Sequence, residues 1–309
     1  MSDRVWRVDS TTAMSCRSSV GVVAGSERAA RAAVEQGIRR VRELERRWTR
    51  FSDCSEVSRL NAADADPVRV STDTVRLVEA MVRAWHATRG AYDPTLLAPL
   101  VELGYATSRD DATRRTSLAA GCRPRGRVEA ILVDAVMGEI TLPAGTLIDP
   151  GGIGKGVAAD LVTEELVADG AAGAMVEIGG DLAVRGQPPA AGGWPVAVVD
   201  PVERDRPGRI ELAAGGVATS SSRFRTWTAG GTPRHHLLDP RTLLPTDRDV
   251  VACTVIAGTA GWAEAFAKVA FVEGTRSALE RYEEVGLAAR ITTSDGGHHC
   301  SPAWRGFCR

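Results

Sequence analysis

Apolar residues recur every three to four positions between residues 28 and 50, with charged residues filling the intervals, which predicts an amphipathic helix. The same period returns from about Thr72 to Thr88, where Ser71 or Thr72 supplies the N-cap. Residues 107–126 are polar and Arg-rich without a period and predict a loop or an insertion. Two short strands follow, VEAILVD and GEITLP, joined by a turn at Met137-Gly138.

The stretch LIDPGGIGKGVAADLVTEELVADGAAGAMVEIGGDLAVRG carries the clearest pattern. It predicts a strand end, a glycine loop, a helix from about Lys155 to Asp169 that stops at Gly170, and a strand from Met175 to Ile178 ending in a second glycine turn. WPVAVVDP predicts a strand, RIELAAGGVATSSS a strand running into a small-residue turn, and CTVIAG a buried strand. TAGWAEAFAKVAFVEG is apolar around most of a helical surface, so it predicts a buried helix. This mixed order suggests an α+β or mixed α/β architecture and not a doubly wound parallel sheet.

Composition narrows the function classes. The 309 residues are 44% hydrophobic and 25% charged, an ordinary globular balance. A net charge of -1 provides no polycationic field, so neither nucleic acid nor an anionic membrane is an expected partner. No apolar core of a secretory signal and no membrane-length apolar run occurs, which places the expected location in the cytoplasm. Six cysteines (Cys16, Cys54, Cys122, Cys253, Cys300, Cys308) form no CxxC pair and fit reduced thiols. The tail His298-His299-Cys300 with Cys308 has metal-binding residue types, although a plain tail is the simpler reading. Of the 38 basic residues only Lys155 and Lys268 are lysines, so a lysine here is less expected to be surface filler.

Three segments carry candidate chemistry. Asp149-Pro150-Gly151-Gly152-Ile153-Gly154-Lys155-Gly156 opens a helix with glycines that let backbone N–H groups approach an anion, so a phosphate or diphosphate is the natural guest. Its spacing is neither GxGxxG nor GxxxxGK[ST]. Ala218-Thr219-Ser220-Ser221-Ser222-Arg223 offers hydroxyls and a guanidinium. His235-His236-Leu237-Leu238-Asp239 places an imidazole three residues before a carboxylate.

In order and spacing, IDPGGIGKGVAADLV, MVEIGGDLAVRG, GGVATSSSRF, HHLLDPRTLLP and WAEAFAKVAFVEG resemble the ApbE family of FAD:protein FMN transferases. RRWTRFSDCSEVSRLNA and AYDPTLLAPLVELGY agree, and the resemblance runs over about residues 10 to 290, as one domain spanning residues 1–309. It implies a T-shaped α+β fold that binds FAD, uses a divalent metal such as Mg2+, and transfers FMN to a Ser or Thr of a partner protein with release of AMP. By the same resemblance Asp149, Gly151, Gly152, Gly154, Lys155, Glu177, Gly179, Gly180, Asp181, Thr219, Ser220, Ser221 and Arg223 would line the flavin nucleotide site. His236 would activate the acceptor hydroxyl, with Asp239 as its neighbour.

The chain departs from the family pattern where the metal is held. The family's Asp and, four residues on, Thr are replaced by Glu264 and Lys268, which leaves only Glu264 and a carbonyl of the loop near Gly154 as ligands. An ammonium has no lone pair and repels a divalent cation, so Mg2+ binding is in doubt. Either the two residues are an ordinary i, i+4 ion pair, or Lys268 brings positive charge to the diphosphate and joins the catalytic group. Ser221 and Leu243 replace two further family glycines. The chain lacks the family's acceptor signature Dxx[ST]GAT, so a modified protein would be a separate partner. Two alternatives remain: an FAD-binding protein without transfer, or an enzyme using intact FAD on a small-molecule substrate.

Overall fold

Val5–Ala13 (β1) and Cys16–Ala24 (β2) form an antiparallel hairpin around Met14 and Ser15, whose φ values of 52° and 57° give a two-residue left-handed turn. The computed structural model describes residues 4–199 and 208–307; Cys308 and the end of the WPVAVVDP segment lie outside the described residues. Glu27–Trp48 (α1) follows, capped by Ser26, whose hydroxyl accepts from Ala29 N–H at 3.2 Å. Ala30, Val34, Gly37, Val41, Leu44 and Trp48 are its buried residues, at alternating steps of four and three. Glu56–Ala62 (α2), Val68–Arg69 (β3), Thr72–Ala87 (α3) and Leu97–Glu102 (α4) lead to Leu132–Asp134 (β4) and Glu139–Thr141 (β5). Ser71 caps α3, and β3, β5 and β4 form a small sheet. The strand expected over VEAILVD begins as a 3-10 turn at Val128–Ala130 and pairs only from Leu132.

Gly154–Ala168 (α5) leads into Gly173–Ile178 (β6) and Asp181–Gly186 (β7), then Trp194–Val198 (β8), Gly208–Leu212 (β9) and Gly215–Ser221 (β10). The segment expected to be a strand running into a small-residue turn is instead two strands, β9 and β10, broken before the left-handed Gly215, and Thr219 to Ser221 of the expected turn belong to β10. Thr226–Ala229 (β11) and Thr232–His235 (β12) make a short hairpin, and Val250–Ala257 (β13) is buried throughout. The expected helix over residues 259–274 is also two, Ala260–Phe266 (α6) and Val269–Glu273 (α7). Thr275–Glu284 (α8), Ala288–Thr293 (β14) and His298–Cys300 (β15) complete the order.

Eight strands form one antiparallel sheet in the order β1-β2-β6-β7-β10-β13-β14-β15. Alternation along its strands divides two cores. Val20, Val22, Ala174, Val176 and Ile178 join α1 and α5 on one face, and further across the sheet Ala218, Cys253, Val255, Ala289 and Ile291 pack with α6, α7 and α8. Val23, Leu182, Val184, Val217, Ile256 and Ala288 point the other way, against Trp194, Val196, Ile210 and Leu212 of the β8–β9 hairpin.

Helix α5 meets α6 almost backbone to backbone. A Cβ on Gly156 would lie 2.5 Å from the carbonyl of Ala260 and from Gly261 N, which makes glycine necessary there. Asp160 fixes the same junction by accepting from Ala260 N–H and Gly261 N–H at 2.8 and 2.9 Å. Among the described residues no helix is long and apolar enough to cross a membrane.

Candidate functional site

Helix α5 starts without a side-chain cap, after Asp149 has turned the chain by accepting from Gly151 N–H at 3.0 Å. Its first turn finds an anion from the neighbouring helix instead. Glu264 of α6 accepts from Gly156 N–H through Oε2 at 2.8 Å, where the positive end of the helix dipole favours a carboxylate. Its other oxygen, Oε1, accepts from Lys155 Nζ at 2.8 Å, and Lys155 also pairs with Asp181 at the start of β7.

The break between α6 and α7 places the second amine. Lys268 N–H bonds to Ala265 O at 3.2 Å, one residue short of the α-helical partner, which releases the carbonyl of Glu264. Lys268 Nζ takes that carbonyl at 2.7 Å and lies 3.7 Å from Glu264 Oε1. Glu264 is 2% exposed, and Lys155 and Lys268 are 16% and 15% exposed. Burial pushes the Lys268 amine down to about 8, against the pull of Glu264 and with repulsion from Lys155 and Arg225. Burial works to raise Glu264, but the two ammonium groups and the Gly156 N–H hold it below the usual carboxylate range.

Three adjoining hollows meet at Gly151 and Arg225. The largest, about 740 Å³, has an aromatic wall of Trp48, Phe51 and Tyr105 and reaches Gly154 and Lys155. Arg50 stacks on Phe51 and Tyr105 at 4.3 and 4.8 Å and pairs with Asp149 at 3.8 Å, which ties that wall to the glycine loop. Ser108 and Arg114 bring the 107–126 segment to the same hollow. The second, about 700 Å³, is lined by Tyr92, Leu96, Leu238, His236 and Lys268 among others. The third, about 440 Å³, collects Lys155, Gly179, Asp181, Thr219, Ser220 and Ser221 with His236, Glu264 and Lys268.

His236 is half-buried; its Nδ1 is buried and has no hydrogen-bond partner, while the Arg225 backbone holds the ring. Burial lowers its pKa well below the ordinary value, and the charges of Arg225, Lys268 and His235 lower it further. The imidazole is therefore neutral, with a ring nitrogen available as an acceptor. Tyr92 OH is likewise buried without a partner. The ring of Tyr92 and the Lys268 stem flank Gly152, where a Cβ would meet Tyr92 Cε2 at 2.8 Å and Lys268 Cε at 3.7 Å.

Not every expected residue reaches this cleft. Glu177 accepts from Gly180 N–H at 2.6 Å and closes the turn between β6 and β7, so neither it nor Gly180 lines a hollow. Asp239 makes no bond to His236; Arg241 grips both its oxygens at 2.9 and 2.6 Å. Arg223 is exposed and lines no hollow; Arg225, two residues on, turns into all three. Arg225, Tyr92, Arg50 and Tyr105 were not singled out from the sequence, and only the aromatic character of Tyr92 and Tyr105 is a signal that could have found them.

A flat heteroaromatic ring with a diphosphate fits these residues, because the aromatic wall, the amines and two unpaired buried polar atoms share one cleft. A divalent ion at Glu264 does not. Both carboxylate oxygens are engaged, and an ammonium about 4 Å away opposes a double charge by about 8 kcal/mol at an effective dielectric constant of about 20. Gly154 adds only a carbonyl, and among the described residues no group of three or more His, Cys, Asp or Glu gathers as a metal site.

A family model described as the ApbE family matches residues 12–291. The chain belongs to the ApbE family. The FAD:protein FMN transferase of Klebsiella pneumoniae is 29% identical over 250 residues, 78% of this chain and 71% of that protein. That of Haemophilus influenzae is 27% identical over 268 residues, 83% and 77% of the two chains. The ApbE protein of Thermotoga maritima superposes with a TM-score of 0.83 at 26% identity, over 99% of this ApbE chain and 100% of that one. The flavin transferase ApbE of Vibrio cholerae shares the fold, with a TM-score of 0.78 at 21% identity over 98% and 99%. The expected α+β architecture is thus the ApbE fold.

Proposed function

We propose that this chain is an FAD:protein FMN transferase that splits FAD and leaves FMN on a Ser or Thr of a partner protein. The observation that carries the reading is His236: a half-buried, neutral imidazole with an unpaired Nδ1, on a residue that lines the hollows that hold Lys268, Lys155 and the glycine loop. FAD is the donor substrate; the aromatic wall suits its rings, and the amines with Arg225 suit its diphosphate.

In this reading His236 Nδ1 accepts the proton of the acceptor hydroxyl as the hydroxyl oxygen attacks the FMN phosphorus. A new P–O bond forms to the partner protein, the P–O bond to the AMP phosphate breaks, and AMP leaves. Lys268 and Arg225 hold the phosphoryl oxygens and offset charge that builds on the leaving phosphate. Thr219, whose hydroxyl bonds Thr254 Oγ1 at 2.9 Å, and Ser220 and Ser221 shape the far wall. The expected location is the cytoplasm.

Incubation with FAD and a protein carrying Dxx[ST]GAT tests the reading. AMP and an acceptor heavier by FMN are expected. Intact FAD recovered in full, with every tested acceptor unmodified, would leave the protein a flavin binder only.

A further inference from the structure

We propose that Lys155 and Lys268 take the place of a divalent cation, so that the diphosphate of the dinucleotide is held, and FMN moved, without any metal. The inference rests on the flavin-transferase reading for its substrate, but its structural ground is separate.

The two amines are arranged around one carboxylate in a way that a metal ligand could not tolerate. Glu264 spends Oε2 on Gly156 N–H and Oε1 on Lys155, and its own backbone carbonyl on Lys268. Both carboxylate oxygens are thus already engaged, one by a backbone N–H and one by an ammonium. Each ammonium, by contrast, has donors left over. Lys155 uses two of its three N–H groups, on Asp181 and Glu264, and Lys268 uses one, on the Glu264 carbonyl. Both amines line the same 440 Å³ hollow as Gly151 and Arg225, so three cations converge where phosphoryl oxygens would lie.

Position is enforced as well as charge. Lys268 is held by the helix break that frees the Glu264 carbonyl, and its stem is confined beside Gly152 and Tyr92. A fixed pair of ammonium groups can orient a diphosphate and offset the charge on leaving AMP. No electron or proton beyond those of the transfer step is required.

The test is equilibrium binding by calorimetry to protein stripped with EDTA, using FAD, ADP and riboflavin as probes, in EDTA and again in MgCl2. FAD and ADP are expected to bind equally in both buffers. Lys268→Met should weaken both by roughly tenfold or more while riboflavin, which has no phosphate, binds as before. Lys268→Arg should recover most of the lost affinity. The double variant Glu264→Asp with Lys268→Thr should make FAD binding and AMP release depend on Mg2+. Wild-type binding that disappears in EDTA and returns with Mg2+, or one equivalent of tightly held metal in the purified protein, would overturn the proposal. Tight FAD binding in EDTA with no acceptor ever modified would instead sink the transferase reading and leave the metal-free diphosphate site standing.

Discussion

Lys155 and Lys268 meet on the same carboxylate, with their amines 2.8 and 3.7 Å from Glu264 Oε1, and they are the only two lysines in 309 residues. Residues 109 and four positions away in sequence are thereby fixed to one side chain that is itself anchored on the first turn of α5. The arrangement is strong because it is mutual: neither ammonium is solvated well enough to stand alone.

Glu264→Gln should therefore be costly. The amide keeps the shape but strands two partly buried ammonium groups, and a loss of about 3–5 kcal/mol in unfolding free energy is expected. Urea unfolding at neutral pH measures it. A loss below about 1 kcal/mol would mean that the amines find water and that the cluster is a surface feature.

Affinity for FAD should fall as pH rises. Lys268 is pushed down to about 8 from its ordinary 10.5, chiefly by burial, and only its ammonium form attracts a diphosphate. Binding should be level below pH 8 and weaken above it, and Lys268→Met should remove that slope. Without ligand the sign is opposite. A depressed amine lends stability that is full above 10.5 and lost as pH falls through about 8. Denaturation of the ligand-free protein across that window checks the second half.

His236→Gln should slow transfer by about 10²–10⁴-fold and leave FAD binding largely intact. Bound diphosphate offsets the Lys268 and Arg225 charges that depress this histidine, so its pKa should rise on FAD binding. Imidazole NMR titration with and without FAD reads that shift, and an unmoved His236 would place the phosphates elsewhere.

Tyr92→Phe separates stability from binding. The buried hydroxyl has no partner, so its removal should stabilise the ligand-free protein by about 1–2 kcal/mol. FAD or acceptor binding should weaken if that hydroxyl serves the ligand. Thermal melts with and without FAD give both answers.

Gly156→Ala should damage the fold and the site together. The added methyl would sit 2.5 Å from backbone of Ala260 and Gly261, and forcing α5 from α6 costs about 1–3 kcal/mol. FAD affinity should drop with it, because the Gly156 N–H to Glu264 bond spans the same junction.

The glycine loop, the helix over residues 155–169 and the two lysines were legible in the sequence because each has a local signature: clustered glycines, a helical period, a rare residue type. The opening hairpin was not. Its turn residues, Met14 and Ser15, adopt left-handed φ values without the Gly or Asn that usually announces them. The break at Lys268 was equally silent, since neither Gly nor Pro marks it. There the Lys268 amine takes the carbonyl that the break releases, a contact that helical periodicity does not encode. Arg225 escaped notice because the turn after β10, not any motif, decides that it and not Arg223 faces inward.

A chain whose side-chain amines are both gathered in one pocket leaves its exterior almost blank to electrophiles that select for primary amines. Labels specific for primary amines should find, apart from the terminal α-amino group, only the two pocket residues, and a bound dinucleotide should shield them. Reagent uptake then becomes a direct gauge of how full the pocket is.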